Sequence, residues 1–534
     1  QVHIFPNFDS IMKSFLANVY PSKWQISSIG SLMLFLFWLF GYDGITFSDD
    51  VYYILAGKEF WNGTMEVGSY HFSSRWGAFV PAGFFSLLFD WDIHWISLVS
   101  FLSYWATYYL LLQFFSSKNE RLILTLWFLT HVYFLHFLTK IYPDSLLVLW
   151  CTLFVAAASL RFEKPFISGI TMVFALFMGF ITKETIVFLA PFPILLFLFD
   201  FNSKPVQKSF YITLVACGIT AALLYLGYFW AKFGDPFYRV TSINAGHYVS
   251  EFTYADKGIS SIIKRITYSP FLTFIERAYW PWIVLAIPGF WKLWKERSHP
   301  EFTLAFICLI LGFWFMSSTL EFYNPIYLNP RHLIILIPFL SFFIAKGWDT
   351  WINSFKWKQL LANLLLLGLT YSAITSDWKM AFFQLALGIC LWIQYKNFRL
   401  IGIAILLLFP AIYSFYYQHQ IKQYQSLLNQ LDSEVEETAE SPILINNFLD
   451  FSKKILLEGD SEEMEKLIPI EKADSIIALK PEKIRLFLYQ YYQHAYPKEE
   501  VDVSNFENAI PINYSLESSK TEGLIETRTY TRKD

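Results

Sequence analysis

The chain has 534 residues, of which 55% are hydrophobic and only 16% are charged, and its formal net charge is −3. A soluble globular protein carries roughly 25% charged residues, so this chain has too few of them to cover its surface in water. The composition excludes a soluble enzyme, a fibrous chain and a nucleic-acid-binding protein, because the last would need a basic stripe.

Charge divides the chain into two parts. Residues 419–534 hold 22 acidic and 13 basic residues, whereas residues 1–418 hold 22 acidic and 28 basic residues in a much longer stretch. The sequence therefore predicts a membrane-embedded part at 26–418 and a water-soluble acidic domain at 419–534. In the N-terminal segment 1–25, apolar residues recur at helical spacing between Phe8 and Val19. This pattern predicts a short amphipathic helix on the cytoplasmic leaflet.

About thirteen apolar runs have the length expected of transmembrane helices. They lie near 26–42, 93–115, 121–138, 145–160, 166–181, 185–200, 209–231, 279–291, 302–318, 332–345, 359–375, 380–394 and 400–417. No small-residue cleavage site follows the first run, so we expect a retained helix rather than a signal peptide. The sequence thus predicts an all-α polytopic membrane bundle.

Basic residues orient the bundle. Lys and Arg concentrate in alternate connections, at 116–121, 161–165, 201–208, 292–300, 346–358 and 395–399. The positive-inside rule places these connections in the cytoplasm. The opposite, outer face then receives the long loop 43–78 and the acidic tail, which requires an odd number of spans.

The long outer loop begins with an acidic pair beside aromatic residues. Asp49 and Asp50 follow Ser48 directly after the first span. One interpretation is a helix start, with Ser48 as the cap and the two acids at the positive end of the helix. The other is a carboxylate that acts as a general base or binds a metal. The loop ends near Arg75, and the apolar segment 76–89 with Pro81 predicts a helix in the outer interface.

Further charged residues lie at the outer ends of later spans. Asp144 opens the fourth span, where it is either a helix N-cap or a functional acid close to membrane depth. Lys183 and Glu184 form the short turn between the fifth and sixth spans, where a Lys anchors the interface or meets an anionic group. Arg331 and His332 open the tenth span, and Arg suits bidentate contact with phosphate. Two acids and three bases on one face favour a site for an anionic lipid-linked substrate.

The remaining features carry less chemistry. All four cysteines lie in apolar runs without metal-ligand spacing, which is typical of small buried residues. In the tail, short runs at Pro442–Ile445 and Asp474–Leu479 predict strands, and Pro481–Tyr492 predicts a helix. The tail is therefore expected to be a small α/β unit.

In the order and spacing of these motifs, the chain resembles the GT-C membrane glycosyltransferases over about residues 26–350. That superfamily uses polyprenyl-phosphate sugars and includes protein O-mannosyltransferases and the aminoarabinose transferase of lipid A. The matching motifs are Asp49-Asp50 followed by Tyr52-Tyr53, Pro143-Asp144-Ser145, Ile181-Thr182-Lys183-Glu184 and Arg331-His332-Leu333. One motif departs, because the family often has Lys-Pro-Pro where this chain has Arg75-Trp76-Gly77.

The resemblance implies a GT-C-like bundle in a bacterial inner membrane, with the tail in the periplasm. It implies that the protein transfers a sugar from a polyprenyl phosphate to a protein, lipid or glycan acceptor on the outer face, with inversion. The expected partners are this donor, the acceptor and membrane lipids, and no nucleic acid. Asp49 would be the general base, with Asp50 and Asp144 as further catalytic acids. The residues expected to bind the substrate and its phosphate are Arg75, Lys183, Glu184, Arg331, His332 and Tyr53.

Three points stay open in the sequence. The Asp49-Asp50 pair can ligate a divalent metal, although no His, Asp or Glu spacing requires one. A transporter or lipid flippase is the alternative function, and it predicts charges in mid-helix and paired internal repeats, neither of which is evident. A membrane scaffold that presents the tail is a third interpretation, but it leaves the ordered acids and bases unexplained.

Overall fold

The computed structural model describes residues 23–203, 206–244, 253–254, 257–320, 322–437 and 441–533. The amphipathic helix predicted between Phe8 and Val19 lies outside the described residues. Up to residue 437 the described chain is mostly helical, and a small sheet follows.

The helices fall on the apolar runs of the sequence. Those of the first half are α1 (Lys23–Phe40), α2 (Asp49–Trp61), α3 (Trp76–Phe89), α4 (Ile93–Ile96), α5 (Leu98–Leu112), α6 (Lys118–Phe128), α7 (Val132–His136), α8 (Pro143–Ser159), α9 (Pro165–Thr182), α10 (Phe192–Ser203), α11 (Lys208–Phe233) and α12 (Tyr238–Asn244). Those of the second half are α13 (Gly258–Thr267), α14 (Ser269–Glu276), α15 (Trp280–Glu296), α16 (Pro300–Phe315), α17 (Pro330–Leu333), α18 (Ile337–Ile352), α19 (Phe355–Ile374), α20 (Trp378–Trp392), α21 (Lys396–Lys422) and α22 (Tyr424–Glu437). Each predicted apolar run lies on one or more of them, since a helix satisfies its own backbone hydrogen bonds in an apolar medium.

Among the described residues, fewer helices than predicted apolar runs have the length and hydropathy expected of a membrane-crossing helix. In the described residues, seven helices are long and apolar enough to cross a membrane, or eight if the pair α6–α7, bent by 69°, counts as one span. The seven are Lys23–Phe40, Ile93–Leu112, Pro165–Thr182, Glu184–Asn202, Lys208–Phe233, Pro330–Ile352 and Lys396–Glu436. Helices α8, α16 and α20 are apolar but have only 15 to 17 residues. The predicted count of about thirteen spans is therefore not confirmed.

Helices α2 and α3 form a closely packed pair in the loop 43–78 and just beyond it. The helix predicted at 76–89 is observed with those bounds. The pair meets at Gly57 and Gly83, where a Cβ added to Gly83 would lie 2.2 Å from the carbonyl oxygen of Gly57. Only glycine allows this approach, and the contact fixes α3, which begins directly after Arg75.

The basic connections meet at one end of the bundle. Lys346 Nζ donates to the carbonyl of Phe114 at 2.8 Å, and the Phe114 ring lies 5.9 Å from that of His299. The Arg399 guanidinium lies 5.6 Å from the Trp351 ring. These contacts join the connections that were used to orient the chain. The side of the membrane that this end faces stays a prediction.

A buried charge cluster also lies among these connections. Arg161 donates two hydrogen bonds to the Asp200 carboxylate, both at 2.8 Å, and a third to Glu301. Their side chains are at most 6% exposed. Arg161 is the shared ion-pair partner of both carboxylates, and the Tyr211 hydroxyl also donates to Asp200 at 2.7 Å, so the cluster ties α8, α10 and α16 together.

The tail contains a five-stranded sheet in the order β2-β1-β3-β5-β4. The strands are β1 (Ile443–Ile445), β2 (Leu467–Pro469), β3 (Lys483–Tyr489), β4 (Tyr514–Glu522) and β5 (Ile525–Arg532). The helices of this region are α23 (Asn447–Leu456), α24 (Ser461–Lys466), α25 (Ala473–Ala478), α26 (Tyr492–Ala495) and α27 (Glu500–Ala509). β1 runs parallel to β2 and β3, and β5 runs antiparallel to β3 and β4.

Two predictions in the tail were wrong and one was right. The strand predicted at Pro442–Ile445 is β1, but Asp474–Leu479 lies on helix α25 and Pro481–Tyr492 contains strand β3. β3 is the central strand, and four of its seven residues are buried in an unbroken run. Such a run has no alternation, so its periodicity does not distinguish a buried strand from a helix.

One hydrophobic core is shared by the outer loop and the tail. Buried residues of the loop pack in the same cluster as buried residues of α22, β1 and β3. The loop contributes Ile45, Phe47, Val51, Tyr53 and Ile54, and the tail contributes Leu427, Leu431, Ile443, Leu444, Phe448 and Tyr489. The tail therefore docks on the loop that carries the acidic pair.

Candidate functional site

The two acids of the Asp49-Asp50 pair have different surroundings. Asp50 is 2% exposed and accepts from the backbone amide of Thr46 at 2.6 Å, from the Thr46 hydroxyl at 2.7 Å, and from the amides of Ser48 at 3.3 Å and Val51 at 3.0 Å. In the described structure the Ser48 hydroxyl makes no capping bond. The predicted cap at Ser48 was therefore wrong, because the Asp50 carboxylate takes that role.

Asp49 points away from this network. Its Oδ2 accepts from Arg331 Nη1 at 2.8 Å, and the two side chains are 19% and 24% exposed. Asn329 caps α17 by accepting from the Arg331 amide at 3.0 Å, which fixes the backbone of Arg331. The Arg331 guanidinium also lies 5.1 Å from the Tyr142 ring. Asp49 is thus a partly accessible carboxylate held by one cation.

Asp144 and Lys183 form a second, more deeply buried ion pair. Lys183 Nζ donates to both carboxylate oxygens of Asp144, at 2.7 and 2.8 Å, and Asp144 is 1% exposed. Asp144 lies in the first turn of α8, and among the described contacts its side chain caps no helix. The capping interpretation of Asp144 was therefore wrong.

Lys183 lies between two spans, in a position that weakens its positive charge. Burial lowers the pKa of Lys183 to about 8, against the attraction of Asp144, and the charges of Arg331 and Arg75 lower it further. The same interactions show that the two ion pairs and Arg75 lie close together. A group that titrates near neutral pH beside other cations is a typical feature of a functional site.

Glu184 joins two arginines. It accepts from Arg75 Nη2 at 2.7 Å and from Arg239 Nη2 at 2.5 Å. Arg75 also donates to the Tyr53 hydroxyl at 2.8 Å, and Arg239 to the Tyr225 hydroxyl at 3.0 Å. Burial raises the pKa of Tyr53, so its hydroxyl stays protonated. Both arginine side chains are buried, at 5% and 3% exposure.

Arg239 is the site residue that sequence reasoning missed. It lies on α12 after the seventh apolar run, in a segment whose other residues carry no motif. The one available signal was a lone base among aromatic residues in Phe237-Tyr238-Arg239. Its partner Glu184 is distant in sequence, so only the folded chain brings the two together.

His332 lies at the edge of this cluster. Its Nε2 accepts from Arg331 Nε at 3.4 Å, and its Nδ1 donates to the carbonyl of Tyr327 at 3.2 Å. The contact with Arg331 is long and therefore weak, so His332 lies beside Arg331 without holding it firmly.

The predicted site residues therefore converge at one end of the bundle. Asp49 and Asp144 both act electrostatically on Arg331, and Arg331 and Arg75 both act on Lys183. Together with the capped Asp50, the cluster holds four carboxylates (Asp49, Asp50, Asp144 and Glu184) and four cations (Arg75, Lys183, Arg239 and Arg331). Two of the arginines share the single carboxylate of Glu184, and guanidinium groups are well suited to bidentate contact with an anion such as a phosphate.

A buried ion pair supports the start of the loop. Lys140 donates to the Asp43 carboxylate and to the carbonyl of Gly44, and Lys422 Nζ lies 3.8 Å from Asp43. Burial alone would raise the pKa of Asp43, but the charges of Lys140 and Lys422 hold it well below its usual range. Since Asp43 stays ionised, it ties the start of the loop to Lys140, just before α8, and to Lys422 at the end of α21.

A metal site does not emerge from the described residues. Within them, no group of three or more His, Cys, Asp and Glu side chains is arranged to hold a metal ion. The oxygens of Asp50 are used by amides and a hydroxyl, and Asp49 is used by Arg331.

Comparison with solved structures identifies the fold. The chain is similar to ArnT from Cupriavidus metallidurans in the apo state, with a TM-score of 0.58 and 12% identity, and to ArnT bound to undecaprenyl phosphate, with a TM-score of 0.56 and 11% identity. Each match covers 94% of this chain and 97% of the ArnT chain. No protein-family model matches the chain, and no curated protein sequence matches it either.

The similarity extends over both parts of the molecule. The expected GT-C-like fold is therefore confirmed, since ArnT has this fold and the match spans almost the whole chain. Together with its long apolar helices, the fold makes the chain an integral membrane protein. At 11–12% identity the comparison establishes the fold alone, and the site has to be interpreted from its own side chains.

Proposed function

We propose that the protein is an inverting membrane glycosyltransferase that moves a sugar from a polyprenyl phosphate to an acceptor hydroxyl. The observation that carries the proposal is the partly exposed Asp49 carboxylate beside a cluster of three arginines and Lys183, at one end of a bundle with the ArnT fold. One of the ArnT structures holds undecaprenyl phosphate, a lipid of the proposed donor class.

The cations supply the phosphate side of the reaction. As the bond from the anomeric carbon to the phosphate oxygen breaks, negative charge grows on the leaving lipid phosphate. Fixed cations stabilise that charge most when they are already oriented. Glu184 holds Arg75 and Arg239 in place, and Asp144 holds Lys183, so these cations are oriented before the donor binds.

Asp49 supplies the acceptor side. Its carboxylate takes the proton of the acceptor hydroxyl as the oxygen attacks the anomeric carbon from the face opposite the phosphate. A single displacement of this kind inverts the anomeric centre. Arg331 orients Asp49 through its hydrogen bond, while Asp50 holds the helix start on which Asp49 lies. Asp144 serves as the counter-ion of Lys183.

The site is assigned to the outer face, which is periplasmic in a bacterial inner membrane. The proposal rests on the basic connections, which meet at one end and belong in the cytoplasm by the positive-inside rule. A reporter fused after residue 533 should be active only outside the cytoplasm. Cytoplasmic activity would reverse the orientation and place the site on the inner face.

The direct test is sugar transfer by the purified protein in nanodiscs, together with binding of undecaprenyl phosphate. Arg75→Ala and Arg239→Ala should each weaken binding by about 10-fold or more, since a hydrogen bond to a charged group contributes about 1.5–3 kcal/mol. The matched control is Arg277→Ala, which removes an exposed arginine outside the cluster and should bind normally. Equal binding by all three variants would remove the arginines from the phosphate site. Lipid movement across vesicles without any sugar transfer would favour the flippase alternative.

A further inference from the structure

We infer that the tail completes the active site, and that Tyr496 is a positioning residue for Asp49. The inference deepens the proposed function, because it names a residue outside the membrane bundle on which the proposed base depends. It starts from contacts between the tail and two residues just before Asp49, namely Thr46 and Phe47.

Tyr496 reaches the loop directly. Its hydroxyl donates to the carbonyl oxygens of Thr46 at 2.8 Å and Phe47 at 3.1 Å. Its ring stacks on Phe448 of α23, with centroids 4.6 Å apart and planes 11° from parallel. The tail thus fixes the ring of Tyr496, and the hydroxyl binds the loop.

Phe47 shows that the loop needs such support. Its φ of +56° lies in the left-handed region, which is unfavourable for an aromatic residue with a Cβ. Its side chain is 2% exposed and lies 5.1 Å from the Phe448 ring, 5.9 Å from Tyr489 and 6.2 Å from Tyr491. Because all three rings come from the tail, the tail stabilises the strained backbone two residues before Asp49.

The contact continues to the base through Thr46. The Thr46 amide and hydroxyl both donate to Asp50, whose carboxylate also accepts from the first turn of α2. Asp49 is the first residue of α2, so its position follows from that of the helix start. Fixing the Thr46 and Phe47 carbonyls therefore fixes the direction in which the Asp49 side chain projects from the start of α2.

A purely structural role makes a different prediction. If the hydroxyl only helped the tail to dock, its loss would lower stability and leave turnover per folded molecule unchanged. A positioning role lowers kcat while KM for the donor stays constant, because the cations that bind phosphate lie on other elements. Displacement of a catalytic group by about 1 Å can cost on the order of 10²-fold in rate.

The experiment uses Tyr496→Phe in the full-length protein. This change keeps the ring on Phe448 and removes only the hydroxyl. Tyr492→Phe is the matched control, because it removes a hydroxyl that donates to Glu500 within the tail at 3.0 Å and does not contact the loop. We expect Tyr496→Phe to lower kcat by about 10-fold or more at constant KM, with Tyr492→Phe like wild type. Equal kcat for Tyr496→Phe and wild type would overturn the inference.

A second measurement does not depend on sugar transfer. Hydrogen exchange followed by mass spectrometry should show faster exchange of the amides of Thr46, Ser48 and Val51 in Tyr496→Phe and unchanged exchange in Tyr492→Phe. Identical exchange in the two variants would also overturn the inference. A wild-type protein with no transferase activity would refute the proposed function, and the exchange rates would still decide whether Tyr496 holds the loop.

Discussion

Replacing Asp49 with Asn removes a charge and a proton acceptor while keeping the shape of the side chain. Asp49 makes one charge-assisted contact, to Arg331 at 2.8 Å, and its carboxylate is separate from the network that caps α2. The substitution should therefore leave the fold intact and abolish the base. This separation of fold from chemistry makes the position informative.

The expected effects of Asp49→Asn on the rate and on the stability differ widely. Loss of a general base lowers the rate by roughly 10²–10⁴, which corresponds to about 3–5.5 kcal/mol of activation free energy. The lost ion pair is partly exposed, and such pairs contribute about 1 kcal/mol or less to stability. The Asp49→Asn protein should thus be folded at normal levels, with a small decrease in its apparent Tm and almost no turnover.

Asp50→Asn is the matched comparison and should behave in the opposite way. Asp50 is buried and both of its oxygens accept hydrogen bonds, so an amide nitrogen at either position leaves a donor facing a donor. An unsatisfied buried donor costs about 1–3 kcal/mol. We expect a clear loss of thermal stability, with a smaller loss of turnover per folded molecule.

The assay is single-turnover transfer from a polyprenyl-phosphate sugar, with thermal unfolding measured on the same samples. Binding of the donor should be almost unchanged in Asp49→Asn, since the phosphate contacts lie on other residues. Full transfer by Asp49→Asn would refute the assignment of Asp49 as the base. Asp144 would then be the next candidate, although it is buried and both of its oxygens are bound by Lys183.

Three further predictions concern the supporting structure. Because a lysine is charged only below its pKa, the donor affinity of the wild type should fall as the pH rises above about 8, and Lys183→Arg should remove this fall. A wild-type affinity that does not change with pH would exclude Lys183 from donor binding. Gly83→Ala should destabilise the protein by about 1–3 kcal/mol in thermal unfolding, because its Cβ would overlap Gly57. Gly218→Ala, whose Cβ would meet nothing within 4 Å, should not destabilise it, and equal Tm values for the two variants would contradict the close helix contact. Arg161→Met should cost about 3–5 kcal/mol by leaving two buried carboxylates unpaired, and should not change the donor affinity of the folded fraction; an unchanged Tm would show that the cluster is not structural.

Most charged residues of the cluster were recognisable in the sequence because they interrupt apolar runs. A charge at the end of a long apolar segment is costly to place there, so Asp144, Lys183 and Arg331 were conspicuous in the sequence. Their pairing was not predictable, since Asp49 and Arg331 are 282 positions apart. Asp49 and Asp50 are neighbours with the same side chain, and only the folded loop shows that Asp50 is the cap.

The fold was predictable to a similar extent. Apolar runs located the helices well, because the hydrophobic signal is strong and continuous. The number of spans does not follow from composition alone, since a short apolar helix such as α8 has the composition of a spanning helix and differs from it in length. In the tail, the segment that forms β3 was assigned to a helix because a strand buried on both faces lacks the alternation that identifies exposed strands.

The contact between Tyr496 and Thr46 joins residues 450 positions apart, and this separation has a consequence for biosynthesis. Ribosomes add about 5–20 residues per second, so roughly 20 to 90 seconds separate the synthesis of Thr46 from that of Tyr496. During that interval the nascent chain can insert its helices while the strained backbone at Phe47 still lacks the rings that stabilise it. A chain released before residue 448 is made would therefore occupy the membrane with the loop 43–78 lacking these stabilising contacts.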